Sequence, residues 1–571
     1  MPVNRPRGFL DAPGQGPPRL QLLIWLALSL AFALVLAIDS IRPSVGTAYI
    51  IQDDARQHVF WMERLRDAEA FPGDLIADYY ESIAPIGYVY FYKLASVLGY
   101  HPISFSKLLP VLLGLVTTLY CFFAALELLP VPLAGFFSTV LLNQAIWARD
   151  DLISATPRAF LYPLFLAFVF YLLRRNTIAA LVAFALQGLF YPSIMIVSAG
   201  ILALGVIKIR RSRPALSDNR QDYILAVGGV AIGIAVLVQY ALRSAGHGDV
   251  MTAGEARSMP EFAADGRISY FLSDKLAFWI TAPLSGFMPG AFPVFIWLSL
   301  LLPVLLRYPD RFPLAEKISS QTSLLTRAIA VSVALFAAAH ILLFRLYLPS
   351  RYTQHTFRIV MSLAAGVALV LLIDAASGAA RKRAVVYGGI AVVSACLIAT
   401  TVLLPDVPER RYRLGKDVAL YEFLRSRPKD ALVATLGQEA SNIPSFAARP
   451  VLVAREYAMP FHKGFYSEFR QRNLDLIEAH YSTDRNRLAE FILKYRIAFI
   501  LVERDAFEPG YLIKNRYLRQ FNPAVTEAIA SLNRGDAPVL STLLESCAVL
   551  EDDSFVLLDA DLVLNSIASG Q

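Results

Sequence analysis

Two adjacent carboxylates, Asp53 and Asp54, follow closely on the first long apolar stretch of the chain, in the run Gln52-Asp53-Asp54-Ala55-Arg56-Gln57-His58. Adjacent carboxylates at a membrane surface suit a general base, or half of an oxygen-rich cation site. In a helix starting near Asp54, positions 54 and 58 lie one turn apart, so Asp54 and His58 could interact. Asp53 would then stand at the cap, where its plainest role is to accept backbone N–H bonds. A second acidic pair, Asp150-Asp151, is flanked by Arg149 and Arg158; charged residues at the ends of apolar spans are also expected on topological grounds alone. The two pairs could together hold Mg²⁺ or Mn²⁺, or could supply a base and an orienting partner without metal. The third group is basic. Arg351, His355 and Arg358 fall at spacings of four and three, which aligns them along one side of a helix. Arg stays charged and donates bidentate hydrogen bonds, so this row, with Arg158, suits a phosphate or pyrophosphate. The alternative is snorkelling toward lipid headgroups. Arg345 reads as lying inside an apolar span, where an unpaired charge is expensive, and His340 as a packing histidine.

The elements that must position these groups are themselves apolar. Of 571 residues, 56% are hydrophobic, which excludes an ordinary soluble protein and predicts a polytopic α-helical membrane bundle. Windows long enough to cross a bilayer fall at about eleven places: 20–38, 108–128, 132–148, 159–173, 177–190, 192–208, 223–243, 277–306, 328–347, 358–376 and 385–404. The first reads as a retained signal-anchor helix. The basic runs are Arg5, Arg7 and Arg19, then Arg174-Arg175, then Lys208, Arg210, Arg211 and Arg213, then Arg307, Arg311 and Lys317, then Arg381-Lys382-Arg383. With the N-terminus inside, all of them fall on the cytoplasmic side. The odd span count puts the C-terminal region outside. The net charge of +7 therefore reads as topology and carries no implication of nucleic acid. Cys121 and Cys396 lie in apolar runs and Cys547 stands alone, so neither a disulfide framework nor a metal-binding spacing is present.

Three divisions follow. Residues 1–19 form a Pro/Gly/Arg-rich cytoplasmic tail expected to be disordered. Residues 20–404 form the transmembrane domain, whose first outside loop, 39–107, carries the Asp pair. A Tyr-rich stretch at 88–100 is expected to lie in the membrane interface or re-enter it. A further outside loop, 244–276, is polar and glycine-containing, and is expected to be mobile. Residues 405–571 read as an extracytoplasmic α/β domain. Its strands are expected at Ala431–Leu436, Val451–Ala454, Ile497–Val502 and Phe555–Leu558, and its helices at 416–427, 466–480, 484–495 and 510–531. No glycine-rich phosphate loop supports a nucleotide site there.

Asp53-Asp54-x-Arg56 in the first outside loop resembles the acidic motif of the class C membrane glycosyltransferases (the GT-C fold). The order of features is similar as well: one span, a long outside loop with an acidic pair, two spans, a second outside acidic motif, then a bundle and an outside C-terminal domain. The resemblance covers roughly residues 1–175 in topology and the Arg351 segment in character. It implies a polyprenyl-phosphate or polyprenyl-diphosphate sugar donor and a lipid, glycan or protein acceptor. It also implies that Asp53 and Asp54 are catalytic, Asp53 as the base or metal ligand and Asp54 as its acidic neighbour and helper, and that Asp150 and Asp151 form the second acidic motif, with His58 in support. On this reading Arg351, His355, Arg358 and Arg158 stabilise the leaving phosphate. A Trp-Trp-Asp acceptor motif is absent from the C-terminal region, which argues against an oligosaccharyltransferase, and no β-trefoil repeats of the eukaryotic O-mannosyltransferases are present. The expected activity is sugar transfer outside a bacterial inner (plasma) membrane, in the cell envelope, in contact with membrane lipids. The rival readings are a transporter or flippase of lipid-linked sugars, a polysaccharide polymerase on a similar bundle, and a scaffold that would tolerate loss of both Asp residues.

Overall fold

A computed structural model describes residues 19–210, 213–377, 383–403 and 411–569. The disordered-tail expectation, most of the Arg381-Lys382-Arg383 run and the junction at 405–410 lie outside these residues.

Helix Pro132–Trp147 forms the centre of the bundle, and all 16 of its residues are buried. Its polar side chains tie it to its neighbours. Thr139 Oγ1 donates to Ser29 Oγ at 2.9 Å, Asn143 Nδ2 to Thr118 Oγ1 at 2.9 Å, and Gln144 Nε2 to the Leu397 carbonyl at 2.7 Å. Among apolar helices such bonds contribute register more than bulk stability. The largely buried helix Ser350–Ser377 lies against it so closely that a Cβ on Gly366 would stand 2.6 Å from Ser138 N and 2.9 Å from Ala134 O. Backbone cannot yield there as a side-chain tip can. Gly366→Ala is therefore expected to destabilise the bundle by roughly 1–3 kcal/mol, seen as a lower thermal midpoint in detergent; an unchanged midpoint would mean that the two helices can part freely.

Among the described residues, six helices are long and apolar enough to cross a membrane: Arg19–Ser44, Pro102–Leu128, Arg220–Tyr240, Ser320–Ile341, Ser350–Ala376 and Ala384–Val402. Pro157–Leu173, Thr177–Phe190, Pro192–Gly205 and Val294–Leu305 are apolar but shorter. The eleven-span expectation thus gives way to a mixed set of long and short helices. The stretch 277–306 is not one helix. Ala277–Thr281 makes a single wide turn, residues 282–293 run irregularly, and helical structure resumes at Val294–Leu305. Pro283, Pro289 and Pro293, each lacking an N–H, account for the break. Helix Ser323–Ile341 also ends earlier than expected. The chain turns through Phe344 and Tyr347, both at positive φ, so Arg345 lies exposed in this turn and not in a span. His340 does pack as expected, among Trp279, Phe336 and Phe278.

The loop 244–276 is not loose. Met251, Phe262, Ile268 and Tyr270 form a small core with Phe344 and Phe461, and Val250 bridges to His462. Helix Ile86–Val97 exposes Tyr90, Leu94 and Val97 along one flank, the pattern of a helix resting in an interface.

After residue 411 a four-stranded sheet forms in the order Leu432–Ala434, Ile497–Glu503, Phe555–Asp559, Ala548–Glu551. Its first pairing is parallel and the other two are antiparallel. Helices Val418–Arg425, Lys463–Tyr481 and Arg485–Tyr495 fall near their expected places. Val451–Ala454 contributes only a bridge from Val451 to Val433 instead of a full strand. The expected helix at 510–531 divides into Pro509–Lys514 and Ala524–Asn533, with Pro523 just before the second. One pairing had no local signal. Ile50–Gln52, immediately before the Asp pair, runs antiparallel to Tyr412–Leu414.

Candidate functional site

That pairing launches the acidic helix. Gln52 ends the strand in an extended conformation, and its side-chain oxygen accepts from Ala55 N at 3.0 Å. Gln52 is therefore the N-cap of helix Asp53–Val59, and Asp53 is not. Freed from capping, Asp53 pairs with Arg56 on its own helix and, at 2.8 Å, with Arg413 from the opposite strand. Burial pushes this carboxyl up, but the Arg413 and Arg56 guanidiniums outweigh it and hold Asp53 below the usual carboxylate range.

Asp54 turns the other way, into an ion pair of 2.5 Å with Arg158. Burial, reinforced by Asp150, Glu456 and Asp53, outweighs the Arg158 charge and pushes Asp54 up to about 6. Two neighbouring carboxylates are thus driven apart, one held ionised and the other poised near neutrality. His58 lines the same space but makes no hydrogen bond or ion pair to Asp54 among the described residues. It stands edge-on to Tyr80, with ring centroids 5.9 Å apart, and burial with the Arg158 charge lowers it to about 4, so it is neutral.

Arg351, His355 and Arg358 share helix Ser350–Ser377, as their spacing predicts. Facing them is Asp151, only 3% exposed. It lies 2.5 Å from Arg358 Nη1, 3.1 Å from Arg158 Nε, 3.5 Å from His355 Nδ1 and 3.9 Å from Arg351 Nη1. The Tyr162 hydroxyl donates to it at 2.7 Å and accepts from Arg358 at 2.8 Å. Burial would raise Asp151, but His355, Arg158, Arg358 and Arg351 together hold it well below the carboxylate range. The basic row therefore splits. His355 and Arg358, 2% and 4% exposed, are buried behind Asp151, whereas Arg351 and Arg158 line a cavity. Arg158 joins the two acidic motifs, because it also reaches Asp150 at 3.5 Å.

The cavity has a volume of about 1890 Å³, larger than the roughly 300–1,000 Å³ of a small-molecule pocket. Asp53, Asp54, Arg158 and Arg351 line one side. Tyr191, Pro192, Leu284 and Leu348 give it an apolar flank, and Asn442, Arg455 and Glu456 from the C-terminal half also line it. The donor set fits a divalent cation poorly. Among the described residues no three His, Cys, Asp or Glu side chains converge, and Asp53, Asp54 and Asp151 each already face a guanidinium.

Spacing alone did not reveal Arg413, Asn442 and Glu456, which reach the acidic helix from far along the chain. Tyr162, four residues after Arg158 and so one helical turn on, carried a faint local signal.

No family model and no curated protein matches the chain in sequence. Its architecture does match solved structures. The archaeal oligosaccharyltransferase AglB from Archaeoglobus fulgidus, in complex with an inhibitory peptide and a dolichol-phosphate, superposes with a TM-score of 0.51 at 12% identity, covering 93% of this chain and 72% of that one. The Archaeoglobus fulgidus oligosaccharyltransferase in the apo form gives 0.50 at 12% identity, over 88% and 72%. ArnT from Cupriavidus metallidurans in the apo state is 14% identical with a TM-score of 0.49, over 95% of this chain and 99% of that one. The likeness to the archaeal enzyme is one of fold, and the chain has a GT-C-like architecture.

Proposed function

We propose that this GT-C-like chain is a membrane glycosyltransferase that moves a sugar from a polyprenyl-phosphate or polyprenyl-diphosphate donor to an acceptor hydroxyl on the extracytoplasmic face. One observation carries the reading: Asp54, poised near neutrality, shares a cavity with Arg158 and Arg351. A base and an anion clamp facing one another are what glycosyl transfer from a phosphate leaving group requires. The dolichol-phosphate held by the archaeal AglB structure is consistent with a lipid-phosphate donor here.

In the proposed reaction the acceptor oxygen bonds to the anomeric carbon of the sugar. The bond from that carbon to the phosphate oxygen breaks, and its electron pair leaves with the lipid phosphate. The acceptor proton passes to Asp54, which suits the role better than Asp53 because Arg56 and Arg413 lower the proton affinity of Asp53, whereas that of Asp54 is raised. Arg158 and Arg351 receive the phosphate charge. His355 and Arg358 act at one remove, fixing Asp151 and through it the two cavity-lining guanidiniums of Arg158 and Arg351. The apolar flank at Tyr191, Pro192, Leu284 and Leu348 takes the start of the lipid tail.

The test follows release of lipid phosphate from a panel of polyprenyl-phosphate sugars by the purified full chain, beside Asp54→Asn. Release by the wild type that is lost in the variant supports the proposal; equal release by both, or none from any donor, overturns it. Because the carboxylates are already compensated, EDTA is expected to leave the rate unchanged, and a loss restored by Mg²⁺ or Mn²⁺ would contradict that expectation. The irregular passage at 282–293 is the feature that a transporter reading would also claim; formation of a covalent sugar–acceptor product separates the two.

A further inference from the structure

We propose that Glu456 is a positioning residue for the acidic pair, locking the rotation of helix Asp53–Val59 so that Asp54 points into the cavity. The inference rests on the glycosyltransferase reading for its rate effect, though not for its structural effect. Glu456 sits in the one-turn segment Arg455–Tyr457 and is mostly buried. One carboxylate oxygen, Oε1, accepts from Gln57 Nε2 and, at 3.3 Å, from Arg267 Nη2. The other, Oε2, takes Arg56 Nη2 at 3.3 Å. Arg56 also donates to Asn442 Oδ1 at 2.9 Å and pairs with Asp53. The Glu456 carboxylate thus grips two consecutive residues of the acidic helix, while Arg267 from the segment after helix Ala253–Ser258 fixes it from behind, also donating to the Arg455 and Glu456 carbonyls.

Consecutive helical residues project about 100° apart. A carboxylate bound to both therefore resists rotation in either sense, which a single contact would not. The helix has 7 residues, under two turns, and a segment that short has little orientation of its own. At a side-chain radius of about 5 Å, a rotation of about 20° would swing the Asp54 carboxylate by nearly 2 Å. Misplacement by about 1 Å can lower a rate by about 10²-fold. Glu456 reaches no phosphate-binding group in the described hydrogen bonds, so its effect falls on turnover and not on donor affinity.

The experiment uses the full chain with Glu456→Ala, Glu456→Asp and Glu456→Gln, and reads kcat, donor KM and amide exchange over 53–59. Glu456→Ala is expected to lower kcat by about 10- to 100-fold with donor KM within about threefold, and to speed exchange at 53–59 by about tenfold. Glu456→Asp, which keeps the charge, and Glu456→Gln, which keeps the acceptor oxygen, are each expected to recover part of both. Unchanged exchange in Glu456→Ala would overturn the proposal, as would a raised donor KM at constant kcat. If Glu456→Ala fails to fold, Glu456→Gln carries the same comparison, and wild-type exchange and kcat in it would overturn the proposal. An Asp54→Asn variant with wild-type turnover would defeat the glycosyltransferase reading alone, because the exchange measurement stands without it.

Discussion

Asp54→Asn is expected to lower sugar transfer by about 10²–10⁴-fold, the span that a positioned general base contributes. The substitution keeps the shape and removes the proton acceptor. The pH dependence adds a second check. A base works when ionised, and Asp54 is pushed up to about 6, so the wild-type rate should fall about tenfold per unit on the acid side of 6 and level off above it. Asp53→Asn should behave differently. It removes one of the charges that raise Asp54, so the acid limb should move to lower pH while activity survives in part. A kcat/KM profile between pH 4.5 and 8.5 for the three proteins (~0.5 unit steps suffice) decides it, because kcat/KM reports the groups of the free enzyme. An acid limb that stays in place in Asp53→Asn would show that the two carboxylates do not sense each other.

The largest effect on stability is expected at Asp151. This buried carboxylate compensates Arg358 and faces Arg158 and His355. Asp151→Asn would leave the buried Arg358 uncompensated, and breaking such a pair costs about 3–5 kcal/mol. The thermal midpoint in detergent should fall sharply, and adding Arg358→Met should recover part of the loss by removing the orphaned charge. The wild type should show the matching pH behaviour. A carboxylate held below its unfolded value contributes stability in full above that unfolded value, and the contribution is lost as pH falls through the folded value. Because Asp151 lies well below the carboxylate range, its share of stability should persist to acid pH in the wild type and be missing at every pH in Asp151→Asn. A midpoint unmoved by the substitution would mean that the hub is decoration.

What could be read in advance follows the range of the signal. The alignment of Arg351, His355 and Arg358 is a property of helical period, visible in eight residues, and the three share one helix. Which of the three would face open space was not visible, because that depends on Asp151 and Tyr162 arriving from other helices. The Asp pair at a helix start was legible, but the capping role was misplaced by one residue. Gln52 competes for it, and only the strand pairing with Tyr412–Leu414 puts Gln52 in the extended conformation that a cap needs. Averaged hydropathy bridged 277–306 because Phe, Trp and Leu outweigh the prolines in a window sum, although three prolines interrupt any helix there. The loop 244–276 looked polar overall. Its core-forming residues, Met251, Phe262 and Tyr270, follow no period, and they find partners only in Phe344 and Phe461.

The pairing of Ile50–Gln52 with Tyr412–Leu414 and the hold of Asn442 on Arg56 join residues as much as 386 positions apart. At ribosomal rates of about 5–20 residues per second, that separation is a wait of roughly 20–80 seconds. During it the acidic helix emerges, its neighbouring spans enter the bilayer, and its orienting partners do not yet exist. The carboxylate pair therefore cannot be fully oriented before residues 412–442 have been made. A ribosome stalled before residue 412 would leave the preceding spans made and the acidic helix without Arg413, Asn442 and Glu456 to orient it.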